Sequence, residues 1–403
     1  MKLLYIVDAH SPIALNWISH FIQGGHEVHI ASTFPCLPVV GAASLDIIPV
    51  AMSGNYGAPE GERGRNSLVR RLIPVTLRTK IRQMIAPWTF PGAANVLRRL
   101  IKDIQPDLIH AMRIPFEGMV ASMAMRGMDE TGRGKKRAPL LISVWGNDFT
   151  LHARSTTGMD SFTREALRAC DALHTDCQRD LRMASDLGFA ASKPSIVLPG
   201  GGGVRLEVFY PADTGNQPEV EAARVKIINP RGVRAYVRND TFFNAIAFVV
   251  EQYPQIHFLC PGMAGEAQVE KWVSELGVDE KVDLLPAQSQ QEMAQLFRQA
   301  QISLSITTHD GTPNTLLEAM ACGCFPIAGD LESIREWIIP GENGWLVDAS
   351  DPRGLAEAII KVISEPELRK KAAERNLQIV KERGEYEKTM QQAEGFYRSL
   401  IGV

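Results

Sequence analysis

Short apolar runs alternate with helix-period patterns along most of this chain, and that alternation restricts its fold more than any other feature. Strands are expected at Leu3–Val7, Val28–Ala31, Asp46–Val50, Leu108–His110, Leu140–Val144, Ala172–Thr175 and Ser195–Leu198. A second set is expected at Lys226–Ile228, Ile256–Cys260, Val282–Leu285, Ile302–Ile306, Phe325–Ile327 and Trp345–Val347. Helices such as Phe242–Glu251, Glu266–Leu276, Gln290–Gln299 and Leu355–Ser364 fall between them. Strand–helix alternation builds doubly wound parallel sheets, and two sets imply two α/β domains with ligands at the carboxyl ends of the strands. The 403 residues also exceed what one hydrophobic core organises. The glycine run Pro199-Gly-Gly-Gly-Gly203 reads as the hinge. The expected division is residues 1–203, residues 204–388, and an amphipathic terminal helix within 389–403.

With 45% hydrophobic and 22% charged residues, the composition is that of a soluble globular protein. No apolar run approaches about 18 residues, and Lys2-Leu-Leu-Tyr-Ile-Val-Asp8 reads as a strand rather than a signal peptide. A cytoplasmic protein that does not span a membrane is expected. The six cysteines (Cys36, Cys170, Cys177, Cys260, Cys322 and Cys324) have neither disulfide-framework nor zinc spacing, so buried free thiols are expected. The net charge of −3 hides an asymmetry: residues 1–203 carry 23 Lys+Arg against 17 Asp+Glu, and residues 204–403 carry 20 against 29. Arg63 to Lys102 holds ten basic residues and no acid, with Leu77, Ile81, Met84, Ile85 and Trp88 at helical spacing. Two readings stay open there: helices packed on the first domain, or an interfacial segment at an anionic membrane surface. The segment fits no nucleic-acid module, so nucleic acid is excluded as a partner.

Residues 309–323, His-Asp-Gly-Thr-Pro-Asn-Thr-Leu-Leu-Glu-Ala-Met-Ala-Cys-Gly, carry the densest chemistry. Asp310 lies in a Gly/Pro loop and Glu318 eight residues later on a helix. Thr312 is expected to cap that helix, Pro313 to take its first position and Gly323 to end it. The amides of Gly311, Thr312, Asn314 and Thr315 then form an electropositive niche for phosphate. A carboxylate on each side of that niche suits a nucleotide sugar, with Glu318 accepting from the ribose diol and Asp310 from sugar hydroxyls. Upstream, Asn229-Pro-Arg231-Gly-Val-Arg234-Ala-Tyr-Val-Arg238 follows the first strand of the second domain, where such a sheet presents phosphate to cations.

The Asp310–Glu318 spacing and the Glu318-Ala-Met-Ala-Cys-Gly323 run resemble the E-x7-E motif of the retaining family-4 glycosyltransferases, with Asp in the first acidic position. Gly341-Glu-Asn-Gly344-Trp-Leu-Val347 and Val204-Arg-Leu-Glu-Val-Phe209-Tyr-Pro211 also resemble that family, with Arg205 where its linker has Asp. The resemblance is strongest from about 300 to 348 and weak over the first 150 residues. It implies the GT-B fold: two Rossmann-like domains, a cleft between them and a C-terminal helix crossing back onto the first. Arg231 matches the family's Arg. Val237 occupies its Lys position, so Arg238 or Arg234 is expected to substitute.

On the acceptor side, Asp8-Ala-His10-Ser11-Pro12 replaces the family's Gly-Gly loop. Val144-Trp145-Gly146-Asn147-Asp148 resembles the family's His-Gly-Ser-Asp segment. Trp145 reads either as a sugar-stacking group or as core, and Asp148 either as an acceptor-hydroxyl partner or as a cap. His110, at a strand end, is the remaining acid/base candidate. No Asp-x-Asp pair follows a first-domain strand, so a metal-independent site with no cofactor is expected. The implied activity is retaining transfer of a sugar from a nucleoside-diphosphate sugar to a hydroxyl of a glycan, glycolipid or small molecule, by front-face attack. A nucleotide-sugar epimerase and a non-catalytic sugar-binding protein are the alternatives.

Overall fold

A computed structural model describes residues 1–50, 75–128, 130–131, 135–212 and 225–403. The part of the basic segment from Arg63 to residue 74 lies outside them. The chain divides into two compact units, Met1–Gly202 with Lys388–Val403, and Gly203–Glu387. All but two short paired segments of the strand structure belong to two parallel sheets, one per unit.

In the first unit β1 (Lys2–Val7), β2 (Glu27–Ser32), β3 (Ser44–Ile47), β4 (Leu108–Ala111), β5 (Leu140–Val144), β6 (Ala172–Thr175) and β7 (Ser195–Val197) pair in the order β3-β2-β1-β4-β5-β6-β7. The helices between them are α1 (Pro12–Gln23), α2 (Val75–Ile104), α3 (Met119–Met125), α4 (Thr157–Ala169) and α5 (Gln178–Asp186). Alternation along β1 shows how both sheet faces are covered. Leu4 and Ile6 join Phe90, Leu97 and Ile101 of α2 in the core, while Tyr5 turns the other way, its ring 6.1 Å from that of Phe21 on α1. Helix α2 runs 30 residues with Pro87 and Pro91 inside it. Beyond its buried residues, Ile81, Met84 and Trp88 are 40%, 66% and 86% exposed.

In the second unit β8 (Lys226–Ile228), β9 (His257–Pro261), β10 (Val282–Leu285), β11 (Ile302–Ser305), β12 (Phe325–Gly329) and β13 (Trp345–Val347) pair in the order β10-β9-β8-β11-β12-β13. They alternate with α6 (Asn239–Gln252), α7 (Ala267–Leu276), α8 (Gln290–Gln299), α9 (Asn314–Ala321), α10 (Pro352–Ser364) and α11 (Pro366–Arg383). Ile227 and Phe258 point into a core with Phe242 of α6 and Ile359 of α10. Their neighbours Ile228 and Leu259 point the other way, to Phe297 of α8 and Met320 of α9. Both sheets are therefore helix-covered on each face, and the polar loops leave at the carboxyl ends of the strands.

The last helix, α12 (Tyr386–Ile401), supplies Lys388 onward to the first unit. Its Tyr397 stacks on Phe21 with ring centroids 4.6 Å apart. A buried polar relay starts from the same side chain. The Tyr397 hydroxyl accepts from Trp17 Nε1 at 2.9 Å and faces His110 Nδ1 at 2.5 Å. His110 Nε2 meets Ser143 Oγ at 2.7 Å, Ser143 meets His174 Nδ1 at 2.8 Å, and His174 Nε2 meets the Leu198 carbonyl at 2.9 Å. One proton arrangement satisfies every link: because Leu198 only accepts, His174 donates from Nε2, and each preceding hydroxyl or ring nitrogen then donates toward it. His110 is 1% exposed and engaged at both nitrogens. Burial pushes its imidazole well below the usual histidine range. The expectation of an acid/base at this strand end is thereby corrected: His110 is a structural link between β4 and α12.

Candidate functional site

The second unit gathers the donor-side residues at the carboxyl ends of β8 and β11. The loop after β8 is fixed by its own asparagines: Asn229 Oδ1 accepts from the Arg231 amide at 3.3 Å, and Asn239 Nδ2 donates to the Gly232 carbonyl at 2.9 Å. Gly232 takes φ 60°, a left-handed turn that favours glycine. This loop delivers Arg231 into the interior at 5% exposure. Its guanidinium donates to Asp310 Oδ2 at 2.5 Å and to Thr315 Oγ1 at 3.0 Å. Asp310 is itself pinned, because Ser333 Oγ donates to its carbonyl at 2.7 Å.

Three polar atoms near these strand ends are buried and find no partner among the described residues: Arg231 Nε, Ser305 Oγ and Thr307 Oγ1. An unpaired buried donor costs roughly 1–3 kcal/mol, so each marks a place where an arriving ligand gains more than it would at the surface. Glu318 is half-buried one helical turn into α9. Desolvation pushes its carboxyl up to about 7, against the opposing pull of the Arg231 charge.

The entry to α9 differs from the sequence expectation. Pro313, with φ −67° and ψ 125°, is the cap residue itself rather than the first helical position. With Pro313 in the cap position the Thr312 hydroxyl makes no cap bond; it accepts from Trp337 Nε1 at 3.0 Å. No side chain caps α9 among the described residues, so its first amides, from Asn314 and Thr315, stay open to an anion. Gly311 is buried in the same loop. The helix ends as expected: Gly323 takes φ 89°, its amide bonds the Met320 carbonyl at 3.2 Å and the Cys324 amide bonds Ala319 at 3.0 Å.

The other arginines of the loop stand apart from Arg231. Arg238 directs its fork at Asp240, Nε to Oδ1 at 2.8 Å and Nη2 to Oδ2 at 2.7 Å. That pairing raises the arginine and holds the Asp240 carboxyl below its usual range. Arg234 is exposed, 3.3 Å from the Tyr236 hydroxyl. The structure thus brings Arg231, Asp310, Thr315 and Glu318 together and leaves Arg234 and Arg238 outside the group.

In the first unit the acceptor-side expectations divide. His10 follows β1 with its side chain 54% exposed and Nδ1 3.3 Å from Asp8 Oδ1. Ser11 is the cap of α1, accepting from the Ala14 amide at 3.4 Å, which assigns its hydroxyl to the helix. Asp148 is fully buried: Oδ1 accepts from Arg113 Nε at 3.0 Å and Nη2 at 2.5 Å, and Oδ2 accepts from the Trp145 amide at 3.0 Å. A carboxylate so enclosed closes the 145–148 turn and braces an arginine; that corrects its reading as an acceptor-hydroxyl partner. Asn147 Oδ1 adds a bond to Arg113 at 3.0 Å. Half-buried Trp145 has its ring 5.7 Å from the Arg113 guanidinium and packs so closely on Gly200 that an added Cβ there would lie 3.1 Å from its Cδ1.

Arg113 was missed in the sequence, where it sits in no motif. Its only signal was its place just after a strand, like His10. Among the described residues one group, Asp176, Cys177 and Asp180, brings carboxylate and thiol atoms within 4.8 Å of one another. Burial pushes the Cys177 thiol and the Asp180 carboxyl up, favouring their protonated forms, and Arg179 Nε donates to Asp180 at 2.9 Å. The positive charge beside this cluster is thus an arginine of the chain.

This geometry has relatives. Residues 11–200 match the family description "Glycosyl transferase 4-like domain" and residues 226–378 match "Glycosyl transferases group 1". The chain thus has the GT-B fold, and each of its two parts is similar to a glycosyl transferase family model. Among curated relatives, the D-inositol 3-phosphate glycosyltransferase of Corynebacterium urealyticum is 27% identical over 223 residues, 51% of each chain. The N-acetyl-alpha-D-glucosaminyl L-malate synthase of Bacillus anthracis is 30% identical over 129 residues, 32% of this chain and 33% of that one. The chain thus spans about half the length of the first curated relatives it matches. Among solved structures, sucrose-phosphate synthase from Thermosynechococcus elongatus superposes with a TM-score of 0.75 at 17% identity over 100% of both chains. Anabaena HepE in complex with UDP-glucose gives 0.71 at 14%, again over 100% of both. At those identities the likeness is one of fold.

Proposed function

We propose that this protein is a retaining glycosyltransferase that takes sugar from a nucleoside-diphosphate sugar and delivers it to a hydroxyl acceptor. The observation that carries the reading is the buried Nε–H of Arg231, without a partner among the described residues, set beside Asp310 and Thr315. A diphosphate placed there satisfies that donor and meets the open amides of α9. Glu318 accepts from the ribose, and Asp310 from the sugar. As the bond to the leaving phosphate breaks, charge grows on its oxygens, and a fixed guanidinium and helix terminus stabilise that charge without reorganising. The transition state is oxocarbenium-like, with front-face attack by the acceptor and no resident metal. Incubation with a panel of nucleotide sugars tests this. Free nucleoside diphosphate supports transfer or hydrolysis, an isomerised donor supports the epimerase alternative, and neither supports a sugar-binding protein. An epimerase needs an acid/base pair at the sugar, and His110, sealed by Tyr397 and Ser143, is withdrawn from that role.

Glu318 gives a pH-resolved check. A carboxylate raised to about 7 is half protonated near neutrality, and only its ionised form accepts from both ribose hydroxyls. Nucleoside-diphosphate affinity is expected to rise as pH climbs through 7 and to level off above it. Glu318→Ala weakens binding at pH 8 by roughly 1.5–3 kcal/mol, the range for a charge-assisted hydrogen bond, and removes its share of the pH dependence. The ligand's own titration is common to both proteins, so calorimetry at pH 6, 7 and 8 isolates the carboxylate. Equal affinities for the two proteins would exclude the ribose role.

A second element of the reading concerns α2. Ile81, Met84 and Trp88 are exposed on one side of a helix whose sequence carries no acid before Asp103. This helix is proposed to rest on an anionic membrane surface, where each nearby basic residue contributes about 1 kcal/mol. Among the described residues no helix is long and apolar enough to cross a membrane. In flotation, the protein is expected to rise with anionic but not zwitterionic vesicles, less so in high salt or after Arg78, Lys80 and Arg82 are changed to Glu. Protein that stays at the bottom of the gradient with anionic vesicles at low salt rules the surface out.

A further inference from the structure

We propose that the first unit binds the apolar tail of an amphiphilic acceptor in the groove between α1 and the loop after β2, an assignment that rests on the glycosyl-transfer reading and names its acceptor class. The groove encloses about 1080 Å³. Its floor is the Leu15, Ser19 and Ile22 stripe of α1, and its other wall is the loop from Pro35 to Gly41. From Leu15 to Gln23 the helix provides roughly 12 Å of length at 1.5 Å per residue. One end is shut by Gly41, at φ 84°: a Cβ added there would lie 2.5 Å from Ile22 Cγ2, so only glycine lets the loop settle onto the helix. The other end opens at Ala9 and His10, directly after β1, on the side of the sheet where ligands of this fold approach. Apolar wall and polar mouth suit a molecule with a methylene chain and a hydroxyl-bearing head.

The lining decides the occupant. Among the described residues it contains no Asp, Glu, Lys or Arg, so a charged segment would lose hydration there without gaining a partner from them. An alkyl or isoprenoid chain brings no polar group that would need a partner against Leu15, Ile22 and the Pro35–Gly41 loop. The loop tip is dressed for contact with the same chemistry, with Leu37 86% and Val40 93% exposed. Ile81, Met84 and Trp88 are also on this unit, whereas Tyr210, Val233 and Ile339 are the exposed large apolar residues described in the second.

The test is a calorimetric titration of the full chain with butyl, hexyl and octyl β-D-glucosides below their micelle concentrations. Affinity is expected to rise about fourfold per methylene, the equivalent of about 0.8 kcal/mol for each buried CH₂. Ser19→Phe, which fills the groove, is expected to flatten that dependence, as is the exposed-loop pair Leu37→Asp and Val40→Asp. UDP and GDP titrations of the same variants should match wild type, and circular dichroism with thermal unfolding checks that the first unit folds. An affinity independent of chain length, or a chain-length slope that both variants retain, overturns the proposal. So does a dimer in light scattering that Ser19→Phe abolishes, because the groove would then belong to a second copy. If neither nucleotide binds wild type but the slope persists, the donor reading fails and the groove stands. Nucleotide binding without the slope removes the groove alone.

Discussion

Arg231→Ala is expected to lower kcat by roughly 10²–10³, the loss seen when one preorganised donor to a developing oxyanion is removed. The guanidinium is 5% exposed and oriented by two partners, Asp310 Oδ2 at 2.5 Å and Thr315 Oγ1 at 3.0 Å. Its Nε–H is the donor left over for a ligand. Because the leaving phosphate carries more charge in the transition state than in the bound donor, the bond strengthens along the reaction, and kcat should fall further than KM rises. Arg231→Lys should recover little of the loss, since an ammonium cannot hold Asp310, Thr315 and a phosphate in one planar fork. Initial rates at saturating donor measure this. A raised KM with kcat unchanged would make Arg231 a ground-state binding group. Removing it also leaves Asp310 without its cation, so thermal unfolding of Arg231→Ala is measured beside the rates to separate the stability loss from the catalytic one.

Acid is expected to weaken the first unit through its two buried histidines, against the opposite pull of Asp180, whose carboxyl burial raises to about 6. His174 is buried and lowered to about 4, and burial puts His110 well below its usual range. Both are neutral when folded, yet take a proton near pH 6.5 when unfolded. The unfolded chain therefore binds more protons, and stability present above pH 6.5 is lost as pH falls from there toward 4. The slope approaches about 1.4 kcal/mol per pH unit below 6.5, so His174 alone removes roughly 1.5 kcal/mol by pH 5, and His110 acts in the same direction. Glu318, raised to about 7, acts in the opposite sense in the second unit and gains stability as pH falls. The measurement must consequently resolve the units: hydrogen exchange on β4, β6 and α12 at pH 7 and pH 5 is suitable. His174→Gln should lower protection at pH 7 and flatten its fall toward pH 5. Unchanged steepness would show that His174 does not govern it.

Much of the architecture was legible because it is written locally. Strands at Leu140–Val144, Lys226–Ile228 and Val282–Leu285 and helix Gln290–Gln299 were expected within the bounds the structure shows. A two-residue or 3.6-residue period is set by neighbours along the chain. The start of β3 was misplaced, at Asp46 rather than Ser44, since strand ends are decided by the partner strand, here β2. Cap chemistry was half legible. Gly323 followed from backbone geometry, whereas Pro313 took the cap position and Thr312 pairs with Trp337, 25 residues away, a partner that no local pattern shows.

By itself the sequence determined two parallel-sheet domains, the Asp310-to-Glu318 loop and helix, and Arg231 after the first strand of the second domain. Only the tertiary structure decided which polar groups remain open to a ligand. Arg231 and Asp310 meet across 79 residues, and His110 and Tyr397 across 287. At such separations the pattern of either segment carries no trace of the other. A buried polar group is enclosed or left open by whichever distant donor the packing brings to it. That is why His110 and Asp148, which read as reactive in the sequence, are enclosed by Tyr397 and Arg113, while Arg231 keeps a donor open.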